Sequence, residues 1–248
     1  MDLSTHVRRL DPGGGASRLR DSAVRAAAVW HAPERRRLAL AILVALGSAL
    51  AFARIAEDYL TNDPLARWDV SFARWLSGER SGVGIDLFRV VTLLGSPAVA
   101  LAVAAIVCFV LYRRRRLDEA ALLIVVLGGA ELLNLALKLA FHRQRPEVAF
   151  VQLDTYSFPS GHAMISTAVC GAFAYLLWGR LPSRRARVLV SAAFAVLAAL
   201  IGFSRLYLGV HYLSDVLGGV AGGATWLAIS IALRMVYGER LVRRFAGR

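Results

Sequence analysis

Cysteine is almost missing from this chain: two of 248 residues, Cys108 and Cys170. Both fall inside apolar runs, where a thiol serves as a small buried hydrophobe. No Cys/His spacing has the form of a zinc site. Lysine is rarer still, with Lys138 the single lysine among 30 basic residues. Acidic residues number 17, which leaves a formal charge of +13. No interleaved stripe of aromatic and basic side chains accompanies that charge, so nucleic acid is not an expected partner. No internal repeat stands out. The first 35 residues lack the form of a cleaved signal peptide: the apolar run comes late, and no small-residue cleavage site leads into a soluble domain.

What the chain has in quantity is long apolar sequence. Hydrophobic residues make up 57% of it, and the mean hydropathy is +0.54. The runs Ala39 to Ala53, Val90 to Tyr112, Ala120 to Leu137, Ala163 to Trp178, Val188 to Phe203 and Val216 to Val236 are almost free of charge. A membrane span needs about 20 mostly apolar residues, and with their flanks these runs make six spans. A soluble helical bundle would show apolar stripes, whereas these runs are apolar all round. The expected fold is all-α, a polytopic membrane bundle of about six transmembrane helices over residues 38–237. A basic tail, residues 1–37, precedes it, and a second basic tail, 238–248, follows.

The arginines mark the topology. They crowd the segment before the first span (Arg8, Arg9, Arg18, Arg20, Arg25, Arg35, Arg36, Arg37). They recur at Arg113 to Arg116, at Arg180, Arg184, Arg185 and Arg187, and at Arg240, Arg243, Arg244 and Arg248. These are alternate connections, and cytoplasmic loops carry the excess of Lys and Arg. Both termini are therefore expected in the cytoplasm, and the first, third and fifth connections outside. In a bacterium this is the inner membrane. Attraction to anionic headgroups would be a side effect.

Within the N-terminal tail, broken at Asp11-Pro12-Gly13-Gly14-Gly15, Ser22 to His31 has the pattern of a short amphipathic helix lying on the membrane. Glu57 to Gly84 is the longest connection. Trp68, Phe72, Trp75 and Leu76 fall there at helical spacing, which suits either an interfacial helix or an ordinary loop. Asn62-Asp63-Pro64 and Ser77-Gly78 would bound the helix. In the third span, about Asp118 to Phe141, Glu131, Asn134 and Lys138 share one face. That polar stripe leads to a pocket at the outer end, with Glu131 itself read as an internal ion pair or hydrogen bond. Gly218-Gly219 and Gly222-Gly223 put small residues on one side of the last span, as close helix packing requires.

Three polar clusters fall at the outward ends of the spans: Lys138 to Pro146, Pro159-Ser160-Gly161-His162, and Ser204-Arg205 to Asp215. Lys138, Arg145 and Arg205 gather cations suited to a phosphate. Arg145 shares the Lys138 face if that helix runs on by two turns. Pro159-Ser160-Gly161 precedes the fourth span. There helix N–H groups attract anions, glycine lets the backbone come close, and Ser160 adds a hydroxyl. His211 and Asp215 are four apart, so one imidazole nitrogen can donate to the carboxylate while the other keeps a nucleophilic lone pair. His162, from another helix, can protonate the departing oxygen.

These residues resemble the type 2 phosphatidic acid phosphatase superfamily, the lipid phosphate phosphatases. Lys138, Arg145 and Pro146 match its first motif. Pro159, Ser160, Gly161 and His162 match its second. Ser204, Arg205, His211 and Asp215 match its third. The motifs cover Lys138 to Asp215, and the six-span layout extends the likeness over about residues 38 to 237. The resemblance implies a metal-independent mechanism through a phosphohistidine and no cofactor. In it His211 attacks with Asp215 in support, His162 protonates the leaving group, and Lys138, Arg145, Ser160, Gly161 and Arg205 hold the phosphoryl oxygens. The expected substrate is a lipid phosphate or diphosphate: phosphatidic acid, phosphatidylglycerol phosphate, or a polyprenyl diphosphate such as the undecaprenyl carrier. The short loop Glu147 to Phe158 leaves little room for a headgroup-recognition domain, so the lipid tail is expected to enter sideways between helices. A phosphotransferase of the same layout, passing the group to a second lipid, is the alternative. A non-catalytic lipid-binding or transport protein is the third reading.

Overall fold

The structure, a computed structural model, describes residues 32–61, 64–151 and 153–246. The expected helix at Ser22 to His31 lies outside the described residues. Residues 1–40 and 41–248 are two units. Of the first, the described part is helical from Ala32; the second holds everything discussed below.

Among the described residues there are eight helices and no strand: α1 Ala32–Thr61, α2 Pro64–Gly78, α3 Gly82–Leu94, α4 Pro97–Arg113, α5 Leu117–Phe141, α6 Gly161–Trp178, α7 Arg184–Tyr207 and α8 Leu213–Ala246. Five of them are long and apolar enough to cross a membrane, and α3 with α4, bent by 41° at their break, meets the same length and composition test only when the two are taken together. The chain is a multi-pass membrane helix bundle.

Val90 to Tyr112, counted in the sequence as one span, is broken in the structure between α3 and α4. The break at Gly95-Ser96-Pro97 has a local cause. Ser96 caps α4 by accepting from the Val99 N–H at 3.3 Å, and Pro97 occupies the first turn. Proline has no N–H to continue the α3 ladder, and it disfavours helical backbone at the residue before it. The segment between the first and second spans is helical, as the aromatic spacing allowed. α2 covers Pro64–Gly78, with Trp68 stacked on Phe72 at 4.9 Å. Trp68 and Trp75 are exposed and Leu76 is buried.

α6 is the centre of the bundle and packs against α4, α5, α7 and α8. One apolar core joins α4 (Ala100, Ala104, Leu111), α5 (Leu123, Val126, Ala130) and α6 (Ile165, Ala168, Ala172). Lipid tails are as apolar as leucine, so close backbone approach holds such helices together. A methyl on Gly219 would lie 2.5 Å from the Ser160 carbonyl, and one on Gly223 would meet the Met164 carbonyl. The small residues of α8 thus let it touch the α6 backbone. At one end of the bundle Arg234 of α8 clamps Asp118 of α5 at 2.5 Å and donates to the Tyr175 hydroxyl of α6 at 3.3 Å. On α1, Phe52 and Tyr59 meet Phe141 and the fully buried Phe158 in one aromatic cluster.

Candidate active site

The site is assembled where α5 ends and α6, α7 and α8 meet. α5 stops at Phe141. His142 takes a left-handed conformation (φ 50°) and its N–H closes on the Lys138 carbonyl at 3.1 Å. The helix therefore does not run on by two turns to carry Arg145, as the spacing suggested. Arg145 reaches the site on an irregular segment, which fits its place before Pro146. That segment is tied to the approach to α6: Ser157 N–H donates to the Arg143 carbonyl at 2.8 Å, and its hydroxyl to the Gln144 carbonyl at 3.0 Å. The Phe158–Pro159 peptide is cis.

Ser160 is the N-cap of α6, yet its hydroxyl makes no capping bond. The other serine N-caps behave differently: Ser81, Ser96 and Ser183 each accept a backbone N–H of their own helix. The Ser160 hydroxyl is instead fully buried and has no partner among the described residues. Its backbone N–H donates to the Asp215 carbonyl at 2.9 Å, which locks the starts of α6 and α8 together. Asn134 completes this corner by donating to the Pro159 carbonyl at 3.2 Å. A methyl on Gly161 would come within 2.9 Å of the Asn134 oxygen. The stripe read on α5 therefore does lead into the site through Asn134 and Lys138. Glu131 does not join it: it is half-buried and has no ion pair or hydrogen bond among the described residues, contrary to the reading of it as an internal tie.

His211 lies just before α8, after a turn that needs glycine at Gly209 (φ 69°). Its Nδ1 is 3.3 Å from Asp215 Oδ2, and the same oxygen accepts the Tyr212 N–H at 2.9 Å. An acidic group in the first turn of α8 reaches back to the residue before the helix, as in half of a capping box. An ionised carboxylate only accepts, so Nδ1 carries the proton and Nε2 keeps the lone pair. Arg145 Nη1 is 3.2 Å from that Nε2. Burial holds the His211 imidazole down, to about 3; the Asp215 bond opposes this, while Arg145 and Arg205 add to it. The ring is thus neutral at neutral pH.

The remaining predicted residues are near. Lys138, Arg145, Arg205 and His211 all lie within electrostatic range of the half-buried His162. Two of the cations are already satisfied by the protein. Lys138 donates to the Tyr156 carbonyl, and Arg145 to the Thr155 and Val210 carbonyls and the Thr155 hydroxyl. Arg205 is not: one nitrogen donates to Thr92 at 2.7 Å, and its buried Nε has no partner among the described residues. The structure brings together the residues that the three motifs point to, and leaves open donors on Ser160 and Arg205. Among the described residues no group of three or more His, Cys, Asp or Glu is placed to hold a metal ion.

One part of the site is not legible in the sequence. Asp69, on the amphipathic helix α2, is fully buried. It accepts from Arg143 Nη2 at 2.8 Å and from the Ser214 N–H at 3.0 Å. Arg143 Nη1 in turn donates to Asp215 Oδ1 at 2.6 Å. The guanidinium lies between the rings of Tyr59 (4.7 Å) and Tyr212 (4.4 Å). A single acidic side chain in an aromatic helix was the available signal, but nothing local named its partner.

The sequence profile of the PAP2 superfamily matches residues 119–238, a stretch that carries every residue from Lys138 to Asp215. Phosphatidylglycerophosphatase B of Bacillus subtilis (strain 168) is 37% identical over 151 residues, which are 60% of this chain and 70% of that protein. A decaprenylphosphoryl-5-phosphoribose phosphatase of Mycobacterium tuberculosis is 40% identical over 105 residues, 40% of this chain and 52% of its own length. Among solved structures, a transmembrane PAP2 type phosphatidylglycerolphosphate phosphatase from Bacillus subtilis superposes with a TM-score of 0.71 at 30% identity. The match covers 79% of this chain and 96% of that one.

Proposed function

The chain belongs to the PAP2 superfamily, and from that premise we propose that it hydrolyses a lipid phosphate through a phosphohistidine on His211. The observation that carries this reading is that two of the buried donors without partners among the described residues, the Ser160 hydroxyl and Arg205 Nε, belong to the motif residues. Buried polar groups are ordinarily paired, and these two belong to the same site as a histidine that Asp215 holds with its lone pair on Nε2. An anionic ligand with several oxygens satisfies both.

In the proposed reaction the phosphoryl oxygens take the Ser160 hydroxyl, the first N–H groups of α6 at Gly161, and Arg205, with Lys138 and Arg145 adding charge. His211 Nε2 forms a bond to phosphorus as the bond to the lipid oxygen breaks, and His162 gives that oxygen a proton. Asp215 stabilises the positive charge that grows on the His211 ring. Water then attacks the phosphohistidine and gives a proton to His162. Orthophosphate leaves and His211 is restored. The fixed cations stabilise the phosphoryl charge in both steps, so no metal is required. The arginine distribution supports placing this site on the outer face of the cell membrane, with both termini inside.

Phosphatidylglycerol phosphate is the first lipid to test, because the relative of 37% identity carries that activity in its name. Protein purified in detergent is assayed for orthophosphate with phosphatidylglycerol phosphate, phosphatidic acid and a polyprenyl diphosphate, without an acceptor lipid. Release that is lost in His211→Ala is the expected result. Near-normal release by folded His211→Ala would sink the nucleophile assignment, and no orthophosphate release, with the phosphoryl group passing instead to an added acceptor lipid, would make the enzyme a phosphotransferase.

A further inference from the structure

Asp215 is buried completely and uses both oxygens. Oδ2 faces His211 and the Tyr212 N–H; Oδ1 takes Arg143 at 2.6 Å. Left alone with Asp215, Arg143 would form a closed ion pair and draw the carboxylate's charge away from the imidazole. It is not left alone. Its other amino group is held at 2.8 Å by Asp69, which is itself buried completely. Ser214 bridges the two, accepting from Arg143 at 2.6 Å and donating its hydroxyl to Asp69. One guanidinium thus lies between two carboxylates. One negative charge is left over, and the group it faces is the His211 ring. Coulomb interactions among buried groups are screened far less than those in water, so the second carboxylate is felt at the first.

We propose that Asp69 and Arg143 are positioning residues for the nucleophile: Arg143 fixes the Asp215 carboxylate, and Asp69 offsets the arginine's charge so that Asp215 stays available to His211. This assigns the amphipathic helix α2 a part in turnover in addition to its aromatic face. It rests on the roles given to His211 and Asp215 above.

A purely structural Asp69 and a positioning one differ in kinetics. With phosphatidylglycerol phosphate in detergent micelles, folded Asp69→Asn should keep its KM and lose about tenfold or more in kcat, the scale on which partners of a catalytic ligand act. The loss should vanish in an Asp215→Asn background, since Asp69 acts through Asp215. Should Asp69→Asn fail to fold, Ser214→Ala removes the bridging hydroxyl with every charge kept. A lower kcat at constant KM supports the proposal there too. Wild-type kcat in either folded variant overturns it. So does an equal loss with and without Asp215, or a raised KM at constant kcat. Activity retained by His211→Ala would strike the reading beneath it instead, so the two failures are distinguishable.

Discussion

Gly95 lies against His162. A methyl on Gly95 would stand 3.3 Å from His162 Cδ2 and 3.0 Å from the Ser166 hydroxyl, and it would run into Ile201. The bend between α3 and α4 therefore forms one wall around His162, the proposed proton donor. Gly95→Ala should lower the melting temperature, with an overpacking cost of about 1–3 kcal/mol. It should also cut phosphate release more than that loss explains, because His162 must shift. A variant that is less stable yet keeps its turnover would show that the wall does not touch the chemistry.

Ser160→Ala separates stability from function in sign. The hydroxyl is buried without a partner, so removing it relieves a desolvated group; about 1–3 kcal/mol is the usual scale of such a penalty. The melting temperature should stay the same or rise while turnover falls about tenfold or more. A drop in both would mean that the hydroxyl supports the fold.

His211 links stability to pH. Burial lowers its folded value to about 3, against about 6.5 in an unfolded chain. Between these values the unfolded state binds a proton that the folded state refuses. Stability therefore rises with pH through this window by up to about 1.4 kcal/mol per pH unit, and is lost as pH falls from about 6.5 toward 3. Denaturation in detergent across this range should show the slope, and His211→Gln should lack this share of it. Equal slopes in the two proteins would mean that His211 is protonated in the fold.

Excess EDTA should leave phosphate release unchanged, because Lys138, Arg145 and Arg205 already supply the positive charge that a divalent ion would bring. Activity lost to EDTA and restored by a divalent ion would overturn the metal-free mechanism.

The legible parts of this protein are those encoded in short stretches. Apolar runs disclosed the spans, since a helix in lipid satisfies its own backbone. Fixed spacings such as His211 to Asp215 disclosed side chains that meet within one turn. The Gly219 and Gly223 contacts followed from residue size alone. The break at Gly95 was hidden because Ser96 and Pro97 lie inside an apolar run whose hydropathy hides the punctuation. The αL turn at His142 was hidden as well, and the apparent helical register of Arg145 was a coincidence of spacing. Asp69 was out of reach for a different reason: its partners come from the α5–α6 connection and α8, and no periodicity links elements so distant.

That distance bears on how the protein is made. Asp69 and Ser214 are 145 positions apart, so α2 leaves the ribosome long before α8 does. Until α8 arrives, Asp69 lacks Ser214, and a carboxylate without its partners stays with water and headgroups. Asp69 can gain its full set of partners only when the final span is in place. A chain halted after α7 would hold His162, Lys138, Arg145 and Arg205 but not His211. With His211 as the proposed nucleophile, catalytic competence arrives last in biosynthesis, and a nascent chain cannot act on the lipids into which it is being inserted.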